Sequence, residues 1–101
     1  MPDFGHPFSG LAKDQKISDK ELIRAIRFMI AAEYEAIRLY MQLAESTDNK
    51  LAIDVLEDTA DEERIHAGEY LRSLKEIDLG EGKLYDEGAS EAEEEIRKRR
   101  K

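Results

Sequence analysis

The chain has 101 residues, is 40% charged and carries a net charge of −8. Such a length fits one small domain, and the acidic balance argues against nucleic acid as main partner, because phosphate binding needs a basic face. Cysteine is absent, which excludes disulfides and thiolate metal sites; with no apolar run long enough for a membrane span and no signal-peptide pattern, a soluble, cytoplasmic protein is expected.

Residues 1–17 hold Pro2, Gly5, Pro7 and Gly10 with little periodicity and are expected to form an irregular arm. His6 within it reads as an ordinary surface residue. Ser18 then opens a helix: it can cap, Glu21 completes a capping box, and Ile17 can staple to Leu22. From there Leu22, Ile26, Met29, Glu33, Ile37, Tyr40 and Ala44 follow in steps of three and four, as one helix face requires. Glu33 is the polar exception on that face.

Ser46-Thr47-Asp48-Asn49 is a short polar turn, with Thr47 or Asp48 expected to cap the next helix. The second stripe reads Ala52, Leu56, Thr59, Glu63, His66, Tyr70, Leu74, Ile77, and its polar exceptions again fall mid-stripe. Gly80 is the expected stop. Each helix would run about 42 Å, and a short loop between long helices favours an antiparallel hairpin over residues 18–79. The tail, 80–101, carries a second capping box at Ser90-Glu91-Ala92-Glu93, acidic residues first and Arg97-Lys98-Arg99-Arg100-Lys101 last, which suits the helix dipole. It reads as a short C-terminal helix packed on a partner, or as a solvated tether.

The expected fold is therefore all-α. Two helices cannot enclose a core, and small chains solve this with metals, disulfides or oligomerisation. Two hairpins packed face to face would form a four-helix bundle, and its two-fold axis would bring two copies of Glu33, Glu63 and His66 together.

Glu63 and His66 are one turn apart on one face, so both can serve one metal or neighbouring metals. Glu33 would reach across from the facing helix. The dimer then offers four carboxylates and two imidazoles, and two divalent cations cancel four carboxylate charges. Left empty, the cluster carries a desolvation penalty of several kcal/mol per ion. Mixed oxygen and nitrogen ligands suit Fe(II), Mn(II) or Zn(II), and shared carboxylates with open positions favour iron. Tyr40 and Tyr70 lie on the stripes and could donate hydrogen bonds to the ligands. Glu35, Glu62 and Glu69 lie near the site in sequence and could form an acidic entry path, although acidic residues on long helices are usually just solvated. The alternative for Glu33, Glu63 and His66 is a buried polar network that sets helix register and binds no metal.

Glu33-Tyr34-Glu35-Ala36 with Tyr40, then Asp61-Glu62-Glu63-Arg64-Ile65-His66-Ala67 followed by Glu69-Tyr70-Leu71-Arg72, resembles the encapsulated ferritins over roughly residues 18–79. The resemblance implies a ferritin-like bundle of two-helix chains and a ferroxidase that oxidises Fe(II) to Fe(III) at a di-iron centre shared between two subunits. It implies Glu33, Glu63 and His66 as ligands to two irons per dimer, Glu35 on the metal entry route and Tyr40 near the centre. It also implies a decamer of five dimers working inside an encapsulin shell, a nanocompartment that holds the mineral. Ala32 departs from the pattern where the family often has another entry carboxylate, and Leu39 replaces an aromatic residue. The C-terminus shows no apolar shell-docking peptide, as expected if the chain is truncated or fused to a shell protein. Two rivals stand beside the ferroxidase: a rubrerythrin-like di-iron peroxidase using the same ligands, and a non-catalytic helical oligomerisation module.

Overall fold

The computed structural model describes residues 16–100, which form three helices: α1 (Asp19–Ala44), α2 (Lys50–Ile77) and α3 (Leu79–Arg99). The expected arm over 1–17 falls almost wholly outside the described residues, and His6 lies outside them too. No described helix is long and apolar enough to cross a membrane.

Helix α1 starts where its capping residue dictates. Ser18 Oγ accepts the Glu21 N–H at 3.2 Å, satisfying one of the unpaired donors of the first turn. The return half of the capping box does not form, because the Glu21 carboxylate pairs with Arg24 instead. The cap of α2 is Asn49, not Thr47 or Asp48: Asn49 Oδ1 accepts the Ala52 N–H at 3.0 Å, while Thr47 Oγ1 accepts the Asn49 N–H and shapes the turn before it.

The two long helices pack along a seam of Ile23, Ile26, Glu33 and Ala44 on α1 against Ala60, Ala67 and Leu74 on α2. Ile23, Ile26 and Leu74 form its apolar nucleus, with Leu22, Ile30 and Tyr70 packed around it. The seam on α2 is rotated from the face expected from the stripe. The alanines at 60 and 67 are fully or nearly buried, whereas His66 and Ile77 are exposed. Small side chains let the axes approach closely, so the alanine ridge, not the bulkier stripe, takes the contact. On α1, Met29 is likewise exposed rather than core.

The expected stop at Gly80 is corrected: α2 ends at Ile77, and Gly80 lies inside α3. Asp78 makes the corner. Its backbone is extended at φ −123°, ψ 90°, its N–H closes α2 on Leu74 O, and its Oδ1 accepts the Glu81 N–H at 3.0 Å. One residue therefore ends α2 and caps α3. The Ser90 capping box is also corrected, since Ser90 sits mid-helix in an α3 of 21 residues that is not short. Once Asp78 has nucleated the helix, nothing at Ser90 breaks it, and elongation is easier than a new start.

Helix α3 leaves the hairpin at an angle. The described chain measures 51 × 47 × 20 Å, so the hairpin length fills one dimension and the outward swing of α3 sets the second. The arginines and lysine of its last turn complement the negative end of the helix dipole.

Candidate metal centre

Helices α1 and α2 bring together the three residues expected as ligands. One ligand atom from each of Glu33, Glu63 and His66 lies within 4.8 Å of the other two. Glu33 comes from the middle of α1, and Glu63 and His66 sit one turn apart on α2. Burial grades across the site. Glu33 is only 8% exposed, the Glu63 side chain is 20% exposed and that of His66 is 48% exposed. His66 Nδ1 stands 3.3 Å from Glu63 Oε1.

The site is strained electrostatically. Glu33 Oε2 is buried with no hydrogen-bond partner. Burial first, and then the neighbouring Glu63 carboxyl, together raise the Glu33 carboxyl from its ordinary 4.5 to about 7, with His66 opposing the rise. An orphaned buried carboxylate oxygen is expensive, and such orphans demand an explanation. A divalent cation supplies one. It would satisfy the oxygen, cancel the repulsion between the two carboxylates and accept the imidazole. The mixed oxygen and nitrogen set fits a borderline transition metal. Three protein donors leave positions open on an octahedral ion, and the exposed imidazole edge is where more donors can arrive.

Other expected participants are not gathered here. Glu35 is two residues from Glu33, about 200° around the helix, and its carboxylate is held by Arg38 at 3.0 Å. Tyr40 is partly buried on α1 and makes no hydrogen bond to the cluster among the described residues. Tyr70 packs into the apolar nucleus. Glu62 and Glu69 are exposed on α2.

Residues 24–100 match the Rubrerythrin family. The chain belongs to that family. This rubrerythrin-family chain is 37% identical over 95 residues to the encapsulin nanocompartment cargo protein EncC of Myxococcus xanthus, covering 94% of this chain and 67% of that protein. It is 35% identical over 66 residues to a ferritin-like–encapsulin shell fusion protein of Pyrococcus furiosus, of which it spans only 19%. Its fold is similar to the crystal structure of an encapsulated ferritin domain from Pyrococcus furiosus, with a TM-score of 0.76 and 31% identity over 82% of this chain and 85% of that one. The expected all-α, encapsulated-ferritin-like fold is therefore correct.

Two contacts outside the site escaped the sequence reading. Arg27 of α1 pairs with Glu81 of α3, with Arg27 Nε donating to Glu81 Oε2 at 3.0 Å, and the Tyr85 hydroxyl donates to the same carboxylate. The guanidinium and hydroxyl hold the Glu81 carboxyl down to about 2. The same pairing lifts the Arg27 guanidinium above its ordinary value. Arg27 and Glu81 are 54 positions apart, and no local pattern links them.

Proposed function

We propose that the chain is a ferroxidase whose di-iron centre is shared between two subunits. The observation that carries this reading is the half-site: Glu33, Glu63 and His66 converge with a buried, unpartnered Glu33 oxygen, on a hairpin that cannot enclose its own core. On α2, Val55, His66 and Ile77 are spaced eleven apart, three helical turns, and all are exposed. On α1, exposed Met29 and Leu43 continue that flank. An exposed apolar flank around an incomplete ligand set fits a second hairpin, whose own Glu33, Glu63 and His66 would double the donors.

In this reading Fe(II) is the substrate. Four carboxylates balance two divalent ions, which removes the cost of holding the acids ionised together. Glu33 orients from the buried side, and Glu63 and His66 hold from the open side. Each Fe(II) gives up one electron, dioxygen or peroxide accepts it, and Fe(III) passes to a mineral store. Carboxylates shared between the ions keep the pair close. Tyr40 and Glu35 are assigned supporting roles by resemblance, Glu35 as an entry group that would first part from Arg38. The names of the Myxococcus and Pyrococcus relatives support work inside an encapsulin nanocompartment with the shell protein as partner, and the decameric ring is assigned by resemblance alone.

The rubrerythrin match favours one second reading, a peroxidase on the same ligands. The lack of cysteine weighs against a self-contained electron-transfer iron of thiolate type. An anaerobic Fe(II) titration of metal-free protein, followed by admission of oxygen, tests the proposal. Saturation at one iron per chain and rapid oxidation, both lost in Glu63→Ala, are expected. Oxidation no faster than in buffer, with peroxide consumed when an electron donor is supplied, would favour the peroxidase.

A further inference from the structure

Peroxide is one of the oxidants named for the centre, and the chain offers it few targets. Cysteine and tryptophan are absent, and there are three methionines. Their thioethers are then the side chains that peroxide attacks most readily. Met1 lies outside the described residues, so the comparison is between Met29 and Met41.

Both belong to α1, but the fold places them differently. Met29 is one turn before Glu33, so the two share a side of the helix. Glu33 lies in the seam at 8% exposure, and Met29 stands just outside it at 37%. Helix α3 does not reach this flank. It is fastened through Arg27 on α1 and Lys75 on α2, which hold Glu81 and Asp86. By helical spacing Arg27 is about 160° round α1 from Met29, and Lys75 is about 180° round α2 from His66. Met29 and His66 therefore share the open flank. Met41 is about 120° round α1 from Met29, towards the α3 side, and is partly buried.

We propose that Met29 is an oxidation site that regulates the metal centre. In an unpaired hairpin, peroxide converts Met29 to its sulfoxide, and the sulfoxide keeps a second hairpin from completing the set of Glu33, Glu63 and His66. The inference rests on the shared-centre reading above and adds a control to it. The sulfur lone pair takes one oxygen of the peroxide, the O–O bond breaks, and the other oxygen leaves as water after a proton passes to it. The thioether loses two electrons and the peroxide gains two. A flexible apolar side chain becomes a polar one. Its new oxygen is a strong hydrogen-bond acceptor, and covering it with an apolar flank strips its water without replacement. A hairpin already paired hides Met29 under its partner, so oxidation marks the unpaired chains.

Metal-free protein is treated briefly with hydrogen peroxide, freed of it and divided. Peptide mass spectrometry is expected to find sulfoxide at Met29 forming about threefold faster than at Met41, in line with exposure. Sedimentation velocity with Mn(II) under argon then follows metal-driven pairing, each chain against its own untreated sample. In the parent, treatment should weaken pairing about tenfold, and methionine sulfoxide reductase should restore it. Met29→Leu should lose this sensitivity and Met41→Leu should keep it. Met29→Gln, polar without any oxidant, should pair as poorly as the treated parent. Far-UV circular dichroism shows that the helices survive treatment. Met41 oxidised as fast as Met29, pairing unchanged by treatment, or sensitivity retained in Met29→Leu overturns this proposal alone. An untreated parent that does not pair with Mn(II) overturns the shared-centre reading, and this proposal with it.

Discussion

Glu33 and Glu63 face each other across the α1–α2 seam with ligand oxygens within 4.8 Å, one carboxylate buried and orphaned, the other on the way out to His66. Two acids at this separation in a low-dielectric seam resist joint ionisation. Their proximity is costly in the empty hairpin and useful once cations bind.

One consequence is a pH slope in the metal-free protein. The Glu33 carboxyl is raised from 4.5 to about 7, so between those values the unfolded chain gives up its proton while the folded one keeps it. Stability should fall by roughly 3 kcal/mol as pH rises through this window. Glu33→Gln should flatten the slope and stabilise the metal-free protein at pH 8, while abolishing metal-linked stabilisation. Urea denaturation at several pH values, with and without a divalent metal, measures both.

His66 should separate binding from folding. Its ring is half exposed, so His66→Ala is expected to leave helix content and metal-free stability within about 0.5 kcal/mol of the parent. Metal affinity should drop about 100-fold or more, since even the loss of a group behind a ligand costs up to that. Isothermal titration with Mn(II), which does not oxidise under these conditions, checks this without turnover.

Two of the three glycines of α3, Gly82 and Gly88, predict opposite outcomes for one substitution. At Gly88 an added Cβ meets nothing within 4 Å, so Gly88→Ala should stabilise by up to about 1 kcal/mol through helix propensity. At Gly82 the added Cβ meets the Lys75 backbone at 3.1 Å. Overpacking there costs about 1–3 kcal/mol and offsets the propensity gain. Thermal melts of the two variants should therefore diverge, with Gly88→Ala above the parent and Gly82→Ala at or below it.

The attachment of α3 should have the reverse acid dependence to the metal site. The Glu81 carboxyl is held down to about 2 by Arg27 and Tyr85. Its contribution is fully present above the ordinary carboxylate range and is lost as pH falls from about 4.5 towards 2. Arg27→Met should remove this dependence and loosen α3 at neutral pH. Spin labels on the α1–α2 turn and near Ile96 would report a broadened distance distribution in the variant, and in the parent only at low pH.

Much of the hairpin was legible because its information is local. Ser18 as a cap, the polar turn over 46–49 and the steps of three and four all follow from neighbours a turn apart. Glu33, Glu63 and His66 stood out for the same reason: each interrupts an apolar stripe. Gly80 misled because a glycine stops a helix only when nothing better does, and Asp78 two residues earlier has a side chain that caps the next one. Ser90 misled because a capping box marks a start only where the preceding turn is not already helical.

By itself the sequence determined the helical class, the two long helices and the kinship visible in the Glu33 and Glu63–His66 motifs. These depend on periodicity and composition, which a chain carries in any conformation. The tertiary structure alone decided that the seam runs over Ala60 and Ala67, that Glu33 Oε2 is buried without a hydrogen-bond partner, and that Arg27 meets Glu81. Each of those depends on the rotation and spacing of one helix against another, a choice made by side-chain volume and desolvation when the helices dock, which no stretch of local sequence encodes.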